Sequence, residues 1–221
     1  MANSSLAKSP ALLLEELFEN YPHLSVCRQS ITDAYELLKN CYANKGKLLL
    51  AGNGGSASDS NHIVGELMKG FLSKRPLDAS QKALFSEFQD GRHLADHLQQ
   101  ALPAITLTEQ SSLITAIAND ISPDLVFAQQ VYGYGCPGDV FWGLSTSGNS
   151  RNIIFAAKTA KSCGLKTISI TGSNPSQLSE LSDVCIRVPF TSTPQIQEAT
   201  LPIYHVLCSM LEASFFTKEE S

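Results

Sequence analysis

Two pairs of residues in this chain have the types and spacing for proton transfer or metal binding. His62 and Glu66 lie four apart in HIVGE, and Gln197 and His205 lie eight apart in QIQEATLPIYH. On a helix, residues four apart share a face, and eight residues span about two turns. Each pair can therefore present both side chains to one side. Imidazole and carboxylate together can carry a proton to and from carbon. The same four groups also form a nitrogen- and oxygen-rich set of the kind zinc accepts, with glutamine the least usual member. Both uses stay open on spacing alone, as do blander ones. Glu66 could be a solvated helix residue beside Lys69, and His205, in the apolar run LPIYHVLCSML, could be a core histidine. His93 and His97 form a third pair, but in polar surroundings, and read as a solvated face.

Two loops could hold an anion near these pairs. One is Gly52-Asn53-Gly54-Gly55-Ser56, six residues before His62 at its nearest; the other is Ser145-Thr146-Ser147-Gly148-Asn149-Ser150. Each follows an apolar run and precedes a helical pattern. A helix N-terminus offers free N–H groups and a partial positive charge, glycine lets the backbone close in, and small hydroxyls donate further bonds. Ser56 and Ser150 could instead be plain helix caps. Four hydroxyls in six residues exceed what one cap requires. Gly52, Gly54 and Ala57 also fit a loose GxGxxA dinucleotide pattern, but the next strand ends in Thr108, not in the acidic residue a ribose contact needs, so no nucleotide cofactor is expected. A phosphorylated sugar is the better ligand.

These loops need a scaffold, and the apolar periodicity supplies one. Strands are expected at 47–52, 103–108, 139–145, 166–172 and 184–190. Helices are expected from about Ser56 to Phe71, in two pieces before Tyr134, from about Ser150 to Cys163, briefly before the fifth strand, and from about Gln195 to Phe216. The first 44 residues read as helices that pack on this core. Near-continuous apolar strands alternating with helices imply an α/β fold, a five-stranded parallel sheet covered on both faces, with ligands beyond the carboxyl ends of the strands. Residues 72–103 break the rhythm. They are polar, with helical patterning from about Ala79 to Gln100, and read as an inserted arm or lid inside a domain spanning 45–221. Pro202 is expected to kink the last helix between Gln197 and His205.

Composition narrows the class. The chain has 221 residues, 43% hydrophobic and 17% charged, as a packed globular protein should. A net charge of −5 makes no electrostatic case for nucleic acid or an anionic membrane as partner. No apolar run approaches the ~20 residues that span a bilayer, and Glu15 and Glu16 interrupt the N-terminal leucines too early for a signal peptide. Six cysteines without a CxxC pair argue for inert thiols and a cytoplasmic protein.

The stretches GNGGSASDSNHIVGEL and LSTSGNSRNIIFAAKTAKSCGLKTISITG resemble the sugar isomerase (SIS) domain, and within it the sedoheptulose 7-phosphate isomerases. The resemblance spans about 28–71 and 104–214. It implies an SIS-type sandwich, a homotetramer with shared active sites, and ketose-to-aldose conversion through an enediol. By position, Ser56, Ser145, Ser147 and Ser150 would bind phosphate, with Gly54, Gly55 and Thr146 beside them. Asn53 and Asp120 would contact the sugar, Glu66 would be the base and His205 the acid. Some members hold zinc at this site, which maps onto His62, Glu66, Gln197 and His205. The family also contains non-catalytic members, such as the regulator that binds the replication initiator DnaA, which lacks equivalents of Glu66 and His205. The chain departs from the isomerase pattern at Lys69-Gly70, Pro194 and Thr200, and in the length of its insertion.

Overall fold

The apolar runs form the strands β1 (Leu48–Gly52), β2 (Ala104–Thr106), β3 (Val140–Leu144), β4 (Lys166–Thr171) and β5 (Val184–Arg187) in a computed structural model that describes residues 8–216. All pair in parallel, in the order β2-β1-β3-β4-β5. The chain steps from β1 outward to β2, then returns to the other side of β1 for β3. The direction of winding therefore reverses between β1 and β3, where parallel sheets open a crevice.

Successive strand residues point to opposite faces. Leu48, Leu50 and Trp142 join one buried cluster, and Leu49, Ala51 and Phe141 another. The first cluster is closed by α1 (Pro10–Asn20), α2 (Arg28–Ala43), α3 (Gly55–Met68) and α10 (Thr193–Phe216). The second is closed by α6 (Ser111–Asp120), α7 (Val126–Tyr134), α8 (Arg151–Ser162) and α9 (Gln177–Leu181). The N-terminal helices thus share a core with the helices that carry His62 and His205. At the amino ends of the strands, buried Asp139 accepts from the Lys47 ammonium at 2.6 Å and from the Lys47 and Cys136 amides. The outermost parts of the segments 1–44 and 45–221, at 1–7 and 217–221, lie outside the described residues.

Three expectations are refined by the structure. The arm is not one helix from Ala79 to Gln100. It folds as α4 (Ala79–Ala83) and α5 (Gly91–His97), joined by turns, with Pro76 bridged to Gln99 at its base. A Cβ at Gly91 would strike the Phe85 carbonyl, and the tight turn there interrupts the helix. Second, Pro202, where a kink is expected, lies inside α10, which stays helical over its full 24 residues from Thr193 to Phe216. Proline there cannot donate a hydrogen bond to the Glu198 carbonyl. Third, α10 is long and apolar enough, by length and composition, to cross a membrane. Its window is 67% buried in the fold, as suits the core helix of a sandwich.

Candidate active site

The loops after β1 and β3 meet at the switch point. Asn53 and Asn152 exchange amide hydrogen bonds of 3.0 and 2.9 Å, which clasp one loop to the other. Between them and the start of α10 opens a cleft of about 290 Å³, lined by Asn53, Gly54, Gly55, Ser56, Ser145, Thr146, Ser150 and Gln197, with Leu144 and Thr193. Eight predicted binding residues are therefore brought together. Ser147 instead faces an adjoining hollow of about 230 Å³ that shares Thr146 and Thr193.

The plain capping roles do not hold. Ser56 lies within the first turn of α3, whose cap position is Gly54 at φ +57°, a left-handed conformation that suits glycine. Ser150 does occupy the cap position of α8, yet its hydroxyl caps no amide and accepts from Ser145 Oγ at 3.2 Å. Both helices thus lack a side-chain cap among the described residues and turn their amino ends to one cleft. Gly148 lets the loop turn: its φ is +64°, a Cβ would collide with Ser176, and its amide bonds the Ser145 hydroxyl. The cleft offers N–H groups, hydroxyls and helix dipoles to an anion.

A second cluster lies farther along α3. The point a Cβ would occupy at Gly55 is 2.5 Å from Gln197 Nε2, while the Tyr204 hydroxyl reaches His62. Seven residues of α3 and seven of α10 separate these two meetings, so the helices run side by side in the same direction. At 1.5 Å per residue, His62 is about 10 Å from the anion end. His62 Nε2 is 3.0 Å from Glu66 Oε1, and its Nδ1 is 2.9 Å from Tyr204 OH. A carboxylate at Nε2 calls for N–H there, so Nδ1 accepts from the phenol. Asp59 Oδ1, 3.5 Å from the same hydroxyl, is the competing, more distant acceptor for its one proton. The rings of His62 and His205 stand perpendicular with centroids 5.0 Å apart, and Phe71 packs against His205.

The remaining atoms are informative. Glu66 Oε2 and His205 Nε2 are buried and have no hydrogen-bond partner among the described residues. Lys69 Nζ comes within 3.6 Å of Glu66 Oε2, which gives charge attraction but is too long for a hydrogen bond. Native folds rarely bury polar atoms without a partner, and such pairs point to a missing ligand. Burial, with His62 beside it, pushes the His205 pKa down, against a smaller upward pull from Glu66. Burial and Asp59 push the Tyr204 phenol up, and burial also raises Asp59.

Asp120 ends α6, where Asn119 bonds its carboxylate, and it does not line the cleft. The set His62, Glu66, Gln197 and His205 suits zinc by donor chemistry and by its two orphaned atoms. Yet among the described residues no three His, Cys, Asp or Glu side chains are placed to hold one ion. Gln197 lies about two turns of α10 from His205. Sequence reading missed Asn152, Thr193, Asp59 and Tyr204. Asn152 directly follows the serine-rich loop and adjoins a legible motif, whereas nothing in the sequence linked Tyr204 to His62.

A doubly wound parallel sheet with two uncapped helix ends at its switch point, and a histidine–glutamate cluster about 10–15 Å along α3, places the chain among α/β proteins built to hold a phosphorylated ligand. The SIS domain family matches residues 91–172. The phosphoheptose isomerase of Aneurinibacillus thermoaerophilus is 36% identical over 213 residues, 96% of this chain and 91% of its own. The structure of phosphoheptose isomerase GmhA from Neisseria gonorrhoeae superposes with a TM-score of 0.67 at 30% identity, covering 90% of this chain and 98% of its own. That of a phosphoheptose isomerase from Francisella tularensis gives 0.72 at 27% identity, covering 89% and 93%. The chain belongs to the phosphoheptose isomerase family of SIS-domain proteins, and it is an isomerase.

Proposed function

We propose that the chain converts sedoheptulose 7-phosphate to a manno-heptose 7-phosphate. The observation that carries this reading is the pair of orphaned atoms, Glu66 Oε2 and His205 Nε2; Glu66 lies about 15 Å along α3 from Ser56 in a cleft suited to phosphate, and His205 comes to it from α10. An open seven-carbon chain has its reacting carbons at the end far from its phosphate. Ser56, Ser145, Ser150 and the amino ends of α3 and α8 bind the phosphate, with Ser147 and Thr146 at the rim. Anchoring there holds C1 and C2 against Glu66.

Glu66 is the base. Its Oε1 is held by His62, which leaves Oε2 to take the C1 proton. The C1–H electron pair becomes the C1–C2 double bond of a cis-enediol, and the C2 carbonyl oxygen gains a proton from His205 Nε2. Glu66 then returns its proton to C2, while O1 gives up its own to His205 and becomes the aldehyde oxygen. Because its pKa is lowered, His205 works as a neutral imidazole that donates N–H to oxygen and receives it back.

His62, Glu66, Gln197 and His205 are also the residues that would hold zinc, after side-chain rotation. When bound, zinc supplies Lewis-acid stabilisation of enediolate charge. Calorimetric titration checks this: one ion per site is expected, lost on His62→Ala. We further infer a homotetramer with shared sites in the cytoplasm, with a phosphosugar and neither nucleic acid nor membrane as partner. Exposed apolar side chains such as Val26, Phe88 and Tyr132 support subunit contacts, and six free cysteines support a reducing compartment. The non-catalytic reading is disfavoured by Glu66 and His205 meeting in one cluster.

The decisive experiment is turnover of sedoheptulose 7-phosphate in deuterated water. Aldose carrying solvent deuterium at C2 is expected. Tight binding without turnover would move the reading to a different sugar or a sensor.

A further inference from the structure

Arg75 leaves the insertion and buries its guanidinium under the end of α3. Its side chain is fully buried, and that of Glu212 on α10 nearly so, 2.8 Å away through Arg75 Nε. Arg75 Nη1 donates to the Leu67 carbonyl at 2.7 Å, and Nη2 to the Glu66 carbonyl at 3.1 Å. Glu212 accepts in addition from the amides of Phe71 and Leu72 at 2.8 Å and of Ser73 at 3.1 Å. The Phe216 ring lies under the guanidinium.

We propose that Arg75 and Glu212 form a clamp that positions Glu66 against His205. The inference rests on the isomerase reading above. Carbonyls at a helix C-terminus need outside donors and favour a cation. No glycine turn supplies them here, since α3 ends at extended Lys69. Arg75 takes that place, sharing the Leu67 carbonyl with the Leu102 amide, and bonds the backbone of the proposed base itself. Glu212 lies seven residues after His205, about two turns on and so on a similar side of α10. It also fixes the Phe71 amide, and the Phe71 ring rests on His205. One ion pair thereby ties down the helix of the base, the helix of the acid and the aromatic wall beside them. A buried ion pair is weak evidence for stability, because apolar replacements are often as stable. What this one adds is direction: a rigid fork with three bonds to two different elements.

Arg75→Lys keeps the charge but not the fork. The test measures kcat, KM and equilibrium affinity for sedoheptulose 7-phosphate, with folded fraction by circular dichroism, in the unaltered chain, Arg75→Lys and Glu212→Gln. Folded variants with unchanged affinity and kcat about 100-fold lower are expected, the loss that a shift of about 1 Å produces. Adding Arg75→Lys to Glu66→Gln should cost nothing more, because the group it positions is gone. Unaltered kcat in a folded variant, kcat and affinity falling together, or full additivity would each overturn the clamp. If Arg75→Lys does not fold, Glu212→Gln decides; if neither folds, the pair is structural and the proposal is wrong. If the unaltered chain turns over no heptose phosphate, the isomerase reading fails separately. The clamp is then judged by the His62 and His205 imidazole resonances, which Arg75→Lys must move without moving the Asn53 and Gly148 amides.

Discussion

The two ends of α3 are built in opposite ways. At its amino end, binding groups come from short loops, backbone amides and hydroxyls, and most lie within five residues of a strand end. At its carboxyl end, polar side chains from two helices meet inside the fold, where His62 and Tyr204 are 142 positions apart yet bonded. The first region is an anion cradle that local chemistry nearly completes. The second is a reaction chamber that exists only when α3 and α10 pack in register. An enzyme that anchors a phosphate and transforms the far end of its substrate needs both, and the α3 helix sets the distance between them.

That contrast predicts a split in kinetics. Glu66→Gln should show the largest effect, lowering kcat by about 1,000-fold, within the range lost with a general base. Its KM should barely move, because the cradle is untouched; a matching rise in KM would break the separation. Ser145→Ala should do the reverse and raise KM about 10-fold, since a hydrogen bond to a charged group contributes about 1.5–3 kcal/mol. Initial-rate measurements over a substrate range test both. Tyr204→Phe sharpens the comparison inside the chamber. Losing one bond of about 1 kcal/mol to His62 should lower kcat about fivefold and leave KM alone. Asp139→Asn is the control, because Asp139 lies at the amino ends of the strands, whereas the cleft opens beyond their carboxyl ends. It should lower stability by about 2 kcal/mol in urea unfolding and change neither kinetic constant at a temperature where the variant is folded.

The halves also differ in how readable they were. The cradle announced itself, because Gly54, Gly55, Ser145 and Ser150 act through loop conformation and helix ends, which are local consequences of residue type. The strand and helix runs were legible for the same reason: apolar periodicity records which face is buried. The arm read less well. Its polar pattern suits a helix from Ala79 to Gln100, but the turn at Gly91 divides it. Asp120, assigned to the sugar by resemblance, ends α6 and does not line the cleft within this chain.

By itself, the sequence determined the layered α/β architecture, the two anion loops and the residue types fit for proton transfer. Each of these follows from spacing over fewer than ten positions. Tertiary structure decided the rest: that His62 turns one nitrogen to Glu66 and the other to Tyr204, that Pro202 leaves α10 unbroken, and that Arg75 lies buried against Glu212. Those facts depend on how two helices distant in the chain settle on one sheet, and helix–helix register is fixed by packing and long-range hydrogen bonds that no local pattern encodes.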